Sequence, residues 1–138
     1  MERDSIAVEA DKRRVLLVDD ERAVTETLSF NLEATGEFAV QAVNDPRQAI
    51  RVAREFEPHI IVLDVIMPGM DGGDVQAALR RDPKLKDTPI VMVTALVSNT
   101  ETADGSLESG GVHMLGKPVR LDTLLDLLRK HTKDPAGG

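Results

Sequence analysis

The chain of 138 residues predicts an α/β domain, a parallel sheet with helices packed on both faces. Three observations carry this reading. Short aliphatic runs recur with little polar alternation, at Val15–Val18, Ile60–Leu63, Ile90–Val93 and Val112–Leu115, as in strands buried on both faces. Between them lie segments whose apolar residues repeat at helical spacing. Strand and helix alternate along the chain, which implies right-handed crossovers and a doubly wound sheet.

The elements follow in order. Residues 1–12 (MERDSIAVEADK) are polar, show no sustained period and predict a flexible arm. RRVLLV is the first strand. From Glu21 to Ala34, apolar Val24, Leu28 and Leu32 recur every fourth residue, a helix stopped at Gly36. FAVQAV alternates as a second strand. Asp45-Pro46 reads as a helix start, with Asp as N-cap and Pro in the first turn. Ala49, Ile50, Val52, Ala53 and Phe56 form the apolar face of that helix, which ends before Pro58. HIIVLDV is the third strand, and MPGMDGG is a turn-rich loop after it.

Val75 to Arg81 forms a short helix with Val75, Ala78 and Leu79 inward, and Pro89 opens the strand IVMV. The stretch from Val97 to Gly110 is weak. Ser98 and Glu101 suit a capping box, but Asp104, Gly105, Ser106, Ser109 and Gly110 are poor helix formers. An interior Gly costs about 1 kcal/mol relative to Ala, so a short or mobile fourth helix is expected. Gly111 precedes the strand VHML and Pro118 follows it. Leu121, Leu124, Leu125 and Leu128 stripe a last helix running to about His131. One domain is expected over residues 13–133, with a disordered tail over 134–138 (DPAGG).

Composition narrows the function. A net charge of −7 argues against nucleic acid as a partner, because phosphate backbones demand Lys/Arg patches. No apolar run approaches the roughly 20 residues of a membrane span, and no signal peptide is evident. The absence of cysteine excludes disulfides and thiolate metal sites and fits the cytoplasm.

Asp19, Asp20, Asp64, Thr94 and Lys117 each sit just at the C-terminal end of an apolar run. In an open parallel sheet those ends share one crevice, so residues spread over about a hundred positions meet. Three acids with one hydroxyl and one lysine suit a divalent cation and a phosphoryl group. His59, His113 and His131 stand apart from these motifs and read as strand-edge or surface residues rather than ligands.

The motifs LLVDDE, IIVLDVIMPGMDG, VMVTA and GVHMLGKP, in this order and at these strand ends, resemble the receiver domains of two-component response regulators. The likeness covers roughly Arg14 to Lys133. It implies a flavodoxin-like (βα)5 sandwich with strand order 2-1-3-4-5. It further implies that Asp64 is the phosphoacceptor, a carboxylate nucleophile toward a phosphohistidine or a small phosphodonor. Asp20 would ligate Mg²⁺ (or Mn²⁺) directly and Asp19 through water, with Asp64 and the backbone carbonyl of Ile66 completing the protein ligands. Thr94 and Lys117 would hold phosphoryl oxygens, and a cis bond before Pro118 would aim the lysine inward.

The resemblance also exposes departures. Where the family usually has an aromatic switch partner for Thr94 on the fifth strand, this chain has Met114, which is flexible and lacks a hydroxyl. That residue either softens the coupling between site and surface or simply fills the core. Two positions that tune phosphoryl lifetime are the apolar Ile66 and Leu96, neither able to orient an attacking water. Slow hydrolysis follows.

A stand-alone receiver is expected, a signalling domain rather than an enzyme in its own right. Its partners would be a histidine kinase or histidine phosphotransfer protein and an unknown output protein. It would be a monomer or a weak dimer through the face of the fourth and fifth helices. A haloacid-dehalogenase-like phosphatase is the alternative, but it needs a second Asp where Ile66 stands. A degenerate receiver that binds partners without phosphorylation is opposed by the complete set of five residues.

Overall fold

A computed structural model describes residues 12–67, 69–94, 106–109 and 112–132. Strands β1 (Arg13–Val18), β2 (Phe38–Val43), β3 (Ile60–Asp64), β4 (Ile90–Thr94) and β6 (Val112–Gly116) are parallel, and β5 (Ser106–Ser109) joins them antiparallel. The sheet order is β2-β1-β3-β4-β6-β5, so the parallel strands follow the expected 2-1-3-4-5 pattern. Among the described residues the helices are α1 (Arg22–Ala34), α2 (Ala49–Phe56), α3 (Gly72–Arg81) and α4 (Leu121–His131).

Side-chain alternation along the strands builds two cores, because successive residues point to opposite faces. Val15 and Leu17 of β1 join Ile60, Val62, Val91, Val93 and Leu115 against Leu32 of α1 and Leu124, Leu127 and Leu128 of α4. Leu16 and Val18 join Ile61, Leu63 and Met92 against Ala49 and Ala53 of α2 and Val75 and Leu79 of α3. Each large aliphatic side chain fully buried this way contributes about 1.5–3 kcal/mol. Arg129 near the end of α4 donates twice to the Glu37 carboxylate, at 2.9 and 2.6 Å, tying α4 to the start of β2.

The expected fourth helix over Val97 to Gly110 is corrected at its C-terminal part. Ser106–Ser109 form β5, with Ser109 opposite Val112. Only two residues separate that pair, both glycine, the spacing and residue type that favour a tight hairpin over a continued helix. Residues 97–105 lie outside the described residues, as do 1–11 and 133–138. The dimer face expected between a fourth and a fifth helix therefore meets β5 over residues 106–109.

The loop after β3 is tighter than its composition suggests. Asp71 caps α3, its Oδ1 accepting from the Asp74 N–H at 3.0 Å, so the helix starts at Gly72 rather than Val75. The Gly72 N–H donates to the Val65 carbonyl at 2.6 Å. A Cβ on Gly72 would stand 2.6 Å from the Asp64 carbonyl oxygen and 2.7 Å from Val65 Cα. Backbone cannot yield as a side-chain end can. Gly72→Ala is expected to cost about 1–3 kcal/mol of stability, read as an earlier urea midpoint by circular dichroism. An unchanged midpoint would contradict this close approach.

Candidate functional site

Strand register brings the expected residues to one sheet edge. Val18 pairs with Leu63, Asp64 with Val93, and Thr94 with Gly116, so Asp19, Asp64, Thr94 and Lys117 lie at the ends of four neighbouring strands. Asp64 and Thr94 are the last residues of β3 and β4 and are buried. The carboxylate oxygens of Asp19, Asp20 and Asp64 lie within 4.8 Å of one another.

Asp19 is held at each polar point. Its N–H extends the β1–β2 ladder to the Val43 carbonyl at 3.1 Å. Its Oδ1 accepts from the Glu21 N–H at 2.9 Å, and its carbonyl accepts from Asn44 Nδ2 at 2.8 Å. Burial is the largest influence on its carboxyl. With the charges of Asp64 and Asp20 it raises the pKa above the ordinary aspartate value, against the lowering pull of the Glu21 N–H and Lys117.

Lys117 follows β6, its N–H donating to the Thr94 carbonyl at 2.9 Å. The Lys117–Pro118 peptide bond is cis. Lys117 Nζ lies 3.2 Å from Asp64 Oδ1, 3.6 Å from Asp19 Oδ2 and 3.8 Å from Glu21 Oε1. Burial alone would lower the lysine pKa. The attraction of Asp19, Asp64 and Glu21, with the hydrogen bond to Asp64, outweighs it and raises the pKa above the ordinary value. The ammonium is thus charged at neutral pH and shared among three carboxylates.

The donor set tests the fit of a metal. Every side chain in the cluster offers a carboxylate oxygen, with no imidazole or thiolate among them, which suits a hard cation such as Mg²⁺ better than zinc or copper. Ile66 is largely exposed, at 58%. Met114 is half-buried against the core under α2 and α3, opposite Met92 of β4. Leu96 lies outside the described residues.

Some residues of the site region went unread in the sequence. Glu21 stands in the LLVDDE motif, yet its reach to Lys117 follows only from the turn into α1. Asn44 sits one residue after β2, where an amide reads as an ordinary turn residue. The three histidines lie outside the acid cluster, and each is partly exposed. His113 and His131 are half-buried and stack on each other with ring centroids 3.9 Å apart. His59 Nδ1 accepts from the Arg14 N–H at 2.8 Å. Burial, with Arg14 and Arg13 nearby, lowers the His59 pKa.

No helix among the described residues is long and apolar enough to cross a membrane. Comparison with known proteins agrees with the geometry. The family model "Response regulator receiver domain" matches residues 15–129. Response regulator MprA of Mycolicibacterium vanbaalenii is 39% identical over 129 residues, covering 91% of this chain and 54% of that protein. DNA-binding response regulator MtrA of Mycobacterium tuberculosis is 35% identical over 129 residues, covering 91% of this chain and 54% of that protein. The chain thus spans about half the length of these curated relatives. The expected exclusion of nucleic acid is corrected accordingly, since the charge of these 138 residues says nothing of the unmatched half of relatives named DNA-binding. Among solved structures, Vibrio cholerae chemotaxis protein CheY4 superposes with TM-score 0.74 at 32% identity, over 87% of this chain and 98% of that one. The Francisella response regulator 1452 receiver domain does so with TM-score 0.71 at 28% identity, over 88% and 100%. With its strand order, its clustered acids and these matches, the chain belongs to the response regulator receiver domains of two-component systems.

Proposed function

We propose that this domain accepts a phosphoryl group on Asp64 from a histidine kinase or a histidine phosphotransfer protein and thereby switches contact with an output partner. The observation that carries the reading is the Lys117 ammonium 3.2 Å from Asp64 and 3.6 Å from Asp19, inside a cluster of three carboxylates. An Asp64 oxygen attacks phosphorus, the P–N bond of the phosphohistidine breaks, and the imidazole nitrogen keeps the electron pair. The product is an acyl phosphate. Lys117 and the Thr94 hydroxyl hold the phosphoryl oxygens as charge redistributes. Asp19, Asp20 and Asp64, with the Ile66 carbonyl, would hold Mg²⁺ (or Mn²⁺). When bound, the cation offsets the repulsion between a carboxylate nucleophile and an anionic phosphoryl group.

Asp64→Asn is expected to abolish labelling by acetyl phosphate, seen as loss of a mass gain of about 80 Da, one phosphoryl group. An undiminished gain would move the acceptor elsewhere.

The acids also predict a stability effect of metal. A carboxyl whose folded pKa is raised, as for Asp19, costs the fold stability once pH rises past its unfolded value. The cost persists at neutral pH, where a cation relieves it. Mg²⁺ at ten times its Kd should add about 1.4 kcal/mol. Circular dichroism melts should rise accordingly, since the chain has neither Trp nor Tyr for fluorescence. Asp20→Ala should remove most of the rise, and an equal rise in the variant would count against Asp20 as ligand.

Ile66 bears on lifetime. Its apolar side chain, exposed beside the acceptor strand, offers no hydrogen bond to an attacking water, and Leu96 is apolar at the second tuning position. A phosphoryl lifetime of hours is expected. Ile66→Asn should shorten it about tenfold, a barrier change of about 1.4 kcal/mol, without changing the acceptor. Decay within seconds in the unmodified protein would overturn this.

A further inference from the structure

The amide of Asn44 spends both hydrogens on the turn that carries the acids. One goes to the Asp19 carbonyl at 2.8 Å and the other to Thr25 Oγ1 at 3.0 Å. A carbonyl only accepts, so the nitrogen and not the oxygen of the amide faces it. Thr25 is buried, and its hydroxyl in turn donates to the Arg22 carbonyl at 3.1 Å. Donation therefore runs outward from the Asn44 amide, to Asp19 on one side and through Thr25 to Arg22 on the other, and both amide hydrogens and the threonine hydroxyl are used.

The carbonyl that Asn44 holds belongs to the peptide joining Asp19 to Asp20. On the other side of that residue the Asp19 N–H is fixed by the Val43 carbonyl at 3.1 Å. The peptides on both sides of Asp19 are thus held, and the one joining the two acids, through which the chain enters Asp20, is held by Asn44. Asp19 and Asp20 repel each other and Asp64, so an unheld turn would relax by swinging one carboxylate toward water. We propose that Asn44 is a positioning residue for the acid pair. Oriented by Thr25, it keeps Asp19 and Asp20 convergent on a cation before the cation binds. This rests on the reading of the acids as the metal site of phosphoryl transfer. The Asn44 amide bonds the backbone carbonyl of Asp19 and the Thr25 hydroxyl rather than a carboxylate of the cluster.

Melts of the full chain by circular dichroism over graded Mg²⁺ separate the two roles Asn44 could have. The metal-free Tm reports structure, and the rise with Mg²⁺ reports an apparent Kd. Asn44→Ala should raise that Kd about tenfold, the scale on which residues that orient metal ligands act. It should slow labelling by acetyl phosphate while Asp64 remains the acceptor. Thr25→Val keeps the shape and removes one hydrogen bond, so its Kd should rise about threefold. Arg129→Ala breaks the remote pair with Glu37 and should lower only the metal-free Tm. A Kd unchanged in Asn44→Ala, or moved equally by Arg129→Ala, overturns the proposal. Should Asn44→Ala not fold, an unchanged Kd in Thr25→Val overturns it. If the unmodified protein shows no rise with Mg²⁺, the metal reading itself falls and this role with it. A full rise in the unmodified protein with an equal rise in the variant removes Asn44 alone.

Discussion

Three carboxylates meet where β1 and β3 end, and their mutual repulsion is the constraint around which the sheet edge is arranged. Such a group would disperse in a loose loop. Here Asp64 is fixed because it is the last paired residue of β3, and Asp19 because its N–H extends the ladder beyond β1. Lys117 is the counter-charge, and it comes from a third strand end. Its own backbone N–H is bound to Thr94, so the ammonium and the threonine are placed by one hydrogen bond. Raised pKa values on both Asp19 and Lys117 describe the same balance from two sides. Burial penalises each charge, and attraction more than compensates only for the lysine.

Rigidity at that edge has a source in the two cores. Leu16 and Leu17 are adjacent in sequence yet belong to opposite faces, as are Ile61 and Val62. Each strand is therefore clamped from both sides up to the residue before its functional group. Gly72 carries this order past the strand end. It lets the start of α3 lie against the Asp64 carbonyl, so Asp64 is backed by backbone and not by a movable side chain. On the open side stand Asp20 and Ile66. The site is close-packed behind Asp64 and accessible in front, where Asp20 and Ile66 are exposed.

Most of this was legible because it depends on patterns that short-range physics fixes. Aliphatic runs without alternation specified buried parallel strands, and their order brought Asp19, Asp20, Asp64, Thr94 and Lys117 to one sheet edge. What stayed hidden depends on geometry at turns. Asn44 and Thr25 sit on different elements and find each other only once β2 and α1 are packed. Gly72 looked like loop composition, although a paired glycine after a capping aspartate also marks a helix that starts hard against a strand. His113 and His131 lie eighteen positions apart, and only the packing of α4 on β6 stacks them. The pairing of β5 with β6 is hidden for another reason, because the same serines and glycines that weaken a helix also suit an extended segment, and a Gly-Gly pair between two such segments favours a tight reversal.

That hairpin changes how Met114 is to be understood. Met114 packs inward toward the core under α2 and α3, with Met92 beside it on β4 and Leu107 opposite it on β5. Both sides of β6 are thus paired, and its edge is not open. Methionine is unbranched and flexible, so it fills that space without the rigid ring the family usually has there. The backbone hydrogen bond from Lys117 to Thr94 couples the end of β4 directly to the turn after β6.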